Sequence, residues 1–185
     1  MNRPTLLELA EKYSSDKLYF HSYIPKYAQY FEQKRLGCKK LLEIGIGYKD
    51  LMEPLVPKYV PGSSLLMWRD YFDGSEIYAC DIREDVMINE GRIHSFICDQ
   101  SNPLALYGLV SHIGGNFDII IDDGSHQHEH QFISAATLLP YLKCGGLYVI
   151  EDVWPDKGEE LAKQFNGQLW VGGKRGDDNL VIVRK

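Results

Sequence analysis

Five short apolar runs, each stopping at an acidic residue or a glycine, constrain the fold of this chain more than any other feature. They read KKLLEIGIG (39–47), SEIYACDI (75–82), RIHSFICD (92–99), FDIIIDDGSH (117–126) and GGLYVIEDV (145–153). Runs of this length, nearly continuous in apolar residues rather than alternating, suit strands buried on both faces of a parallel sheet. The intervening segments SSLLMWRDYF (63–72) and HQFISAATLLPYL (130–142) supply crossover helices. Strands alternating with helices predict an α/β fold: a Rossmann-like, mostly parallel, seven-stranded sheet with helices on both faces. The last two strands come from GQLWVGG (167–173) and DNLVIVRK (178–185), which read as a terminal antiparallel hairpin at the sheet edge.

The 185 residues suffice for one core. Two regions of different texture are expected within it, a helical segment over 1–36 and the sheet-forming core over 37–185. In the first, apolar and aromatic residues recur at helical spacing (Leu6, Leu9, Tyr13, then Tyr23, Tyr27, Tyr30, Phe31), interrupted near SSDK (14–17), so two helices with a loop between them are expected. Twenty basic against 26 acidic residues give a formal charge of −6 with no long run of either sign, which argues against a nucleic-acid partner and for a compact small-molecule acceptor. No apolar run approaches the ~18 residues of a membrane span and the N-terminus lacks a signal-like apolar core, so a cytoplasmic protein is expected. Cys38, Cys80, Cys98 and Cys144 stand singly and are expected to be buried thiols rather than a zinc or disulfide set.

In an open α/β sheet, ligands bind outside the carboxyl ends of the strands, where all these acidic strand ends would gather. Gly45 and Gly47 would let the backbone approach a ligand closely, and Asp81 is placed to accept hydrogen bonds from ribose hydroxyls. A glycine pair after a strand is equally a common tight turn. The third glycine of a dinucleotide fingerprint is missing, which disfavours a nicotinamide-dependent dehydrogenase and favours a nucleoside without phosphates. Asp99 reads either as an acceptor for an adenine amino group or as a turn or N-cap aspartate ahead of Asn102-Pro103.

The order LLEIGIG, IYACDI, FICDQSNP, FDIIIDDGSH, GGLYVIEDV resembles a class I S-adenosylmethionine-dependent methyltransferase. More narrowly it is similar to the metal-dependent sugar O-methyltransferases of macrolide biosynthesis, the macrocin and mycinamicin type with their cephalosporin hydroxylase-like relatives. The likeness runs from SSDKLYFHSYIPKY (14–27) through GSSLLMWRDYF (62–72) to the ED pair at 151–152. It implies S-adenosylmethionine bound by Glu43, Gly45, Gly47, Asp81, Asp99, Gln100 and Asp122, and substrate contacts from Asp16, His21 and Tyr23. It also implies a Mg²⁺ or Mn²⁺ ion on Asp123, Glu151 and Asp152. Two departures are visible: the large N-terminal extension of some relatives is missing, and YKDLMEPLVPKYVPG (48–62) is idiosyncratic. Acceptor identity and assembly, as a homo-oligomer or as a domain of a larger chain, hang on those departures.

The residues themselves allow the same chemistry and a plainer one. Three carboxylates from adjacent strand ends can share a hard cation that relieves their repulsion, or Asp123 and Asp152 can cap helices while Glu151 is solvated. His126, three residues after Asp123, suits a general base for a hydroxyl. The spacing of His126 and His130 invites zinc, but the surrounding donors are hard oxygens with no cysteine among them. His130 is expected beneath the site and His128 in solvent. Tyr23 reads equally as part of the core aromatic stripe, and Trp68 as packing under the first strand. The expected activity is methylation of a hydroxyl on a sugar or glycoside. The alternatives are a catechol-type phenolic acceptor and a non-catalytic cofactor-fold module of a glycan-assembly protein.

Overall fold

A computed structural model of the chain describes residues 3–56 and 58–185. Its strands are β1 (Lys40–Ile44), β2 (Glu76–Asp81), β3 (Ile93–Ile97), β4 (Phe117–Asp122), β5 (Leu142–Ile150), β6 (Gln168–Val171) and β7 (Asn179–Arg184). They form one seven-stranded sheet in the order β3-β2-β1-β4-β5-β7-β6. The first five pair in parallel, and β7 runs antiparallel to both β5 and β6. The expected fold is therefore observed, with one refinement: β7 inserts beside β5 and only β6 lies at the edge. Strand order reverses between β1 and β4, and there the connections leave a crevice at the carboxyl ends.

Side-chain parity decides which groups reach which face. Leu41, Ile119, Ile121, Leu147 and Val149 face one core layer, with α1 (Leu6–Lys12), α3 (Ile24–Phe31) and α5 (Ser63–Tyr71). Leu42, Ile44, Ile120, Tyr148 and Ile150 face the other, with α6 (Pro103–Ile113), α7 (His128–Leu138) and α8 (Pro155–Gln164). Continuing the alternation sends Glu43 and Glu151 toward the first layer and Asp122 toward the second. The first layer is centred on an aromatic group in which Trp68 packs edge-on to Tyr27 and Phe31, so Trp68 is core.

The N-terminal segment differs from the expected two helices. Ser14 adopts a left-handed φ of 51° that ends α1, but the chain re-enters a single helical turn, α2 (Asp16–Tyr19), before α3. α1 starts in a capping box, Thr5 Oγ1 accepting from Glu8 N and Glu8 Oε2 from Thr5 N, an arrangement worth about 1 kcal/mol. Tyr13 and Lys12 donate to Asp70 of α5 and tie this segment down. Cys38, Cys80 and Cys98 are buried as expected, whereas Cys144 is exposed, because it sits where β5 bulges away from β4. Among the described residues no helix is long and apolar enough to cross a membrane.

Candidate active site

A pocket of about 630 Å³ opens at the carboxyl ends of the parallel strands. Gly45, Gly47, Asp81, Asp99 and Gln100 line one end of it, and Asp16, His21, Asp123, His126 and Asp152 line the other. Four residues expected at the site do not reach the pocket: Glu43, Asp122, Glu151 and Tyr23 are buried one layer beneath it. Strand parity is the reason for the three acids, and the aromatic layer for Tyr23.

At the first end, Asp81 Oδ2 accepts from Ile46 N at 2.9 Å and Oδ1 from Arg83 N at 3.0 Å, which stiffens the loop around its own carboxylate. Each oxygen retains accepting capacity, and the residue lines the pocket. Asp99 Oδ1 accepts from Ser101 N and Oγ, the turn role, while Asn102 supplies the N-cap of α6. Gly45 (φ 92°) and Gly47 (φ 73°) were expected to admit a ligand, but their requirement is set by the protein itself. A Cβ on Gly45 would lie 1.9 Å from the Asp123 carbonyl oxygen, and one on Gly47 2.2 Å from the Tyr59 hydroxyl. Asp122 is bonded by Gln100 Nε2 at 2.5 Å and by Ser134. Burial pushes its carboxyl up to about 6 against those hydrogen bonds. Gln100 in turn accepts from Ser125 N at 3.0 Å, so Asp122 and Gln100 hold the turn that carries Asp123 and His126.

At the other end, His126 and Asp152 both adopt left-handed backbone conformations, φ 58° and 54°. Non-glycine residues in this region are uncommon and concentrate at functional sites. The turn folds the imidazole back so that Nε2 lies 3.1 Å from Asp123 Oδ1 and 3.3 Å from Asp152 Oδ2. Burial would lower the imidazole pKa, but the two carboxylates outweigh it and hold it up at about 9. Asp152 Oδ1 accepts from Tyr23 Oη at 2.7 Å and stands 3.2 Å from His21 Nδ1, which also faces Asp178 at 3.3 Å. Tyr23 is thus both core and support: its ring stacks on His21 and its hydroxyl fixes Asp152.

The acid trio expected to share one cation is divided. Asp123, Asp152 and His126 present ligand atoms within 4.8 Å of one another, and Asp123 also clusters in this way with Glu43 and Glu151. Between the members of the second cluster lies Lys17 Nζ, 2.7 Å from Asp123 Oδ2, 2.7 Å from Glu151 Oε1 and 3.4 Å from Glu43 Oε1. Burial alone would strip its proton; the three carboxylates reverse that and keep it firmly charged. Tyr27 Oη also donates to Glu151 Oε1. Asp123, despite its burial, is held well below the ordinary carboxylate range by Lys17 and His126.

These residues fit a hard divalent ion. Asp123 Oδ1 and Asp152 Oδ2 converge from two strand ends on the imidazole, and Glu151 Oε2 is buried without a hydrogen-bond partner among the described residues. Glu151 belongs to the cluster with Glu43 and Asp123, where burial and the Asp123 charge push its carboxyl well above the usual range, so its orphaned oxygen calls for a proton or a cation. His130, whose Nδ1 pairs with Ser125 Oγ at 2.8 Å, lines the pocket rather than lying beneath it, and His128 is half-buried against Glu160 at 3.2 Å.

Sequence reasoning missed Lys17, although SSDK was singled out; a lysine in a polar tetrapeptide carries no mark of burial. It also missed the wall made by the idiosyncratic segment, where Tyr48, Met52 and Tyr59 line the pocket. Arg175 was missed too, its guanidinium 4.2 Å above the Phe20 ring at the rim.

No family model matches the chain. It is 40% identical over 156 residues to 8-demethyl-8-alpha-L-rhamnosyl tetracenomycin-C 2'-O-methyltransferase of Streptomyces olivaceus, covering 82% of this chain and 39% of that protein. It is 39% identical over 154 residues to mycinamicin VI 2''-O-methyltransferase of Micromonospora griseorubida, covering 82% and 37%. Among solved structures, the MycE methyltransferase of the mycinamycin biosynthetic pathway, in complex with Mg, SAH and mycinamycin VI, superposes with a TM-score of 0.78 at 29% identity. That match covers 99% of this chain and 55% of that one. The chain thus spans about two fifths of the length of the curated relatives it matches.

Proposed function

We propose that this chain, which belongs to the class I S-adenosylmethionine-dependent methyltransferases and is related to their sugar O-methyltransferases, methylates a sugar or glycoside hydroxyl with the aid of Mg²⁺ or Mn²⁺. The observation that carries this reading is the placement of His126 Nε2 between Asp123 Oδ1 and Asp152 Oδ2 at one end of a pocket whose other end holds Asp81 and Gly45. The similarity to the MycE methyltransferase in complex with Mg, SAH and mycinamycin VI supports it.

Gly45, Gly47, Asp81, Asp99 and Gln100 would hold S-adenosylmethionine, its ribose on Asp81 and its adenine toward Asp99, while Glu43 and Asp122 support that wall from beneath. Asp123, Asp152 and the free oxygen of Glu151 would hold the cation, which when bound supplies charge to acidify and orient the acceptor hydroxyl. His126 Nε2 removes the hydroxyl proton as the new O–C bond forms and the C–S bond breaks, its electron pair passing to sulfur. A neutral imidazole is required for this; with the Asp123 and Asp152 charges engaged elsewhere, the proton they hold on His126 would be released. Asp16 and His21 line the acceptor side, with Tyr23 holding Asp152. The segment 16–23 is in this reading part of the site rather than an appendage.

The test is mass spectrometry of methyl transfer from S-adenosylmethionine to a panel of rhamnosides, other glycosides and catechols. Transfer to a glycoside is expected. Activity on catechols alone would replace the sugar reading with a phenolic one, and cofactor binding without transfer to any acceptor would point to a non-catalytic module.

A further inference from the structure

Lys17 takes no part in the chemistry just described, yet it is the hub of the charged layer beneath it. Its side chain is 0% exposed and its ammonium contacts three carboxylates from three adjacent strands, Glu43 within β1, Asp123 just after β4 and Glu151 just after β5. A buried ammonium is costly unless its partners compensate, so this contact set is specific. It also fixes how the acids present themselves. Asp123 gives Oδ2 to Lys17, which leaves Oδ1 turned toward His126. Glu151 gives Oε1 to Lys17 and Tyr27, which leaves Oε2 without a hydrogen-bond partner among the described residues. Each acid is thereby restricted to one available oxygen.

We propose that Lys17 is a positioning residue for the divalent-cation site, an internal counter-ion that orients Asp123 and Glu151 and sets how tightly they hold the cation. The inference rests on the cation reading above. Two effects of opposite sign follow from one charge. Orientation favours a productive geometry, while a resident positive charge one carboxylate away opposes the dication. Lys17 therefore exchanges affinity for geometry. The anchoring of α2 agrees with such a role: Lys174 Nζ donates to Leu18 O and to His21 O, both at 2.6 Å, and Asp178 holds Ser22 N at 3.1 Å. The turn carrying Lys17 is clamped to the β6–β7 connection instead of hanging from α1.

The test uses Lys17→Met in the full chain, with Mn²⁺ binding read by electron paramagnetic resonance and thermal stability read with and without Mg²⁺. The variant is expected to bind Mn²⁺ about tenfold or more tightly than the wild type, with S-adenosylmethionine affinity unchanged and kcat lowered. Unchanged or weaker Mn²⁺ affinity, with lower stability alone, would make Lys17 merely structural and overturn the proposal. If the variant folds only poorly without metal, millimolar Mg²⁺ is expected to restore its folding transition by neutralising the freed carboxylates; failure to do so also overturns it. Absence of Mn²⁺ binding to the wild type is a different outcome, which removes the cation reading and this inference with it.

Discussion

His126 Nε2 lies 3.3 Å from Asp152 Oδ2, although the two residues are carried by the ends of different strands and each needs a left-handed backbone to meet the other. Holding two non-glycine residues this way costs on the order of 1–3 kcal/mol each, a cost that packing alone gives no reason to incur. The imidazole is 44% exposed, so its removal should leave the fold intact. His126→Ala is expected to keep S-adenosylmethionine affinity, measured by calorimetry, and to lose about 10²–10⁴ in kcat. Equal turnover of variant and wild type would remove His126 as the base.

Asp81 should act at the opposite end. Its carboxylate accepts from Ile46 N and Arg83 N and remains available to a ribose. Asp81→Ala is expected to raise the cofactor dissociation constant about tenfold or more, since hydrogen bonds to a charged group contribute about 1.5–3 kcal/mol. Mg²⁺-dependent stabilisation should be unaffected. A variant that loses metal binding but keeps cofactor affinity would show the two ends assigned in reverse.

Gly45 provides a steric test of the strand crossing that builds the site. A Cβ there would meet the Asp123 carbonyl oxygen at 1.9 Å, whereas one on Gly91, also at positive φ, meets nothing within 4 Å. Gly91→Ala should cost about 1–2 kcal/mol in denaturant unfolding, and Gly45→Ala clearly more, because backbone must also move. Equal costs would contradict the close approach of β1 and β4.

The acid limb of stability should depend on Asp70. Burial would raise its carboxyl, but hydrogen bonds from Tyr13, Lys12 and Arg69 hold it down at about 2. A folded pKa below the unfolded value of 3.8 means that the stabilisation is complete above pH 4 and is lost as pH falls through about 2. With the carboxylate partly in water, screening limits it to about 1 kcal/mol. Asp70→Asn should therefore lower stability at pH 7 by about that amount, and the difference from wild type should shrink as pH is lowered toward 2. A difference that persists unchanged through that range would exclude the charge as its source.

Much of this architecture was legible in the chain. Apolar runs that end in acids marked β1 to β5, and the rule that ligands gather at carboxyl ends placed Asp81, Asp99, Asp123 and Asp152 in one crevice, where they are found. Depth was not legible. In DD (122–123) and ED (151–152), adjacent acids go to different surroundings: Asp122 and Glu151 are fully buried, while Asp123 and Asp152 line the pocket. Which member of each pair turns inward depends on where the strand pairing stops, a property of neighbouring strands rather than of the dipeptide. Lys17 was hidden for the same reason, since its burial is decided by carboxylates 26, 106 and 134 positions away.

The most direct measurement is methyl transfer to a glycoside acceptor after exhaustive chelation, followed by stepwise return of Mg²⁺, with Asp152→Asn run in parallel. The predicted result is loss of turnover on chelation, recovery with added Mg²⁺, and a much higher Mg²⁺ requirement in the variant. Full turnover in the chelated wild type would contradict the shared-cation site.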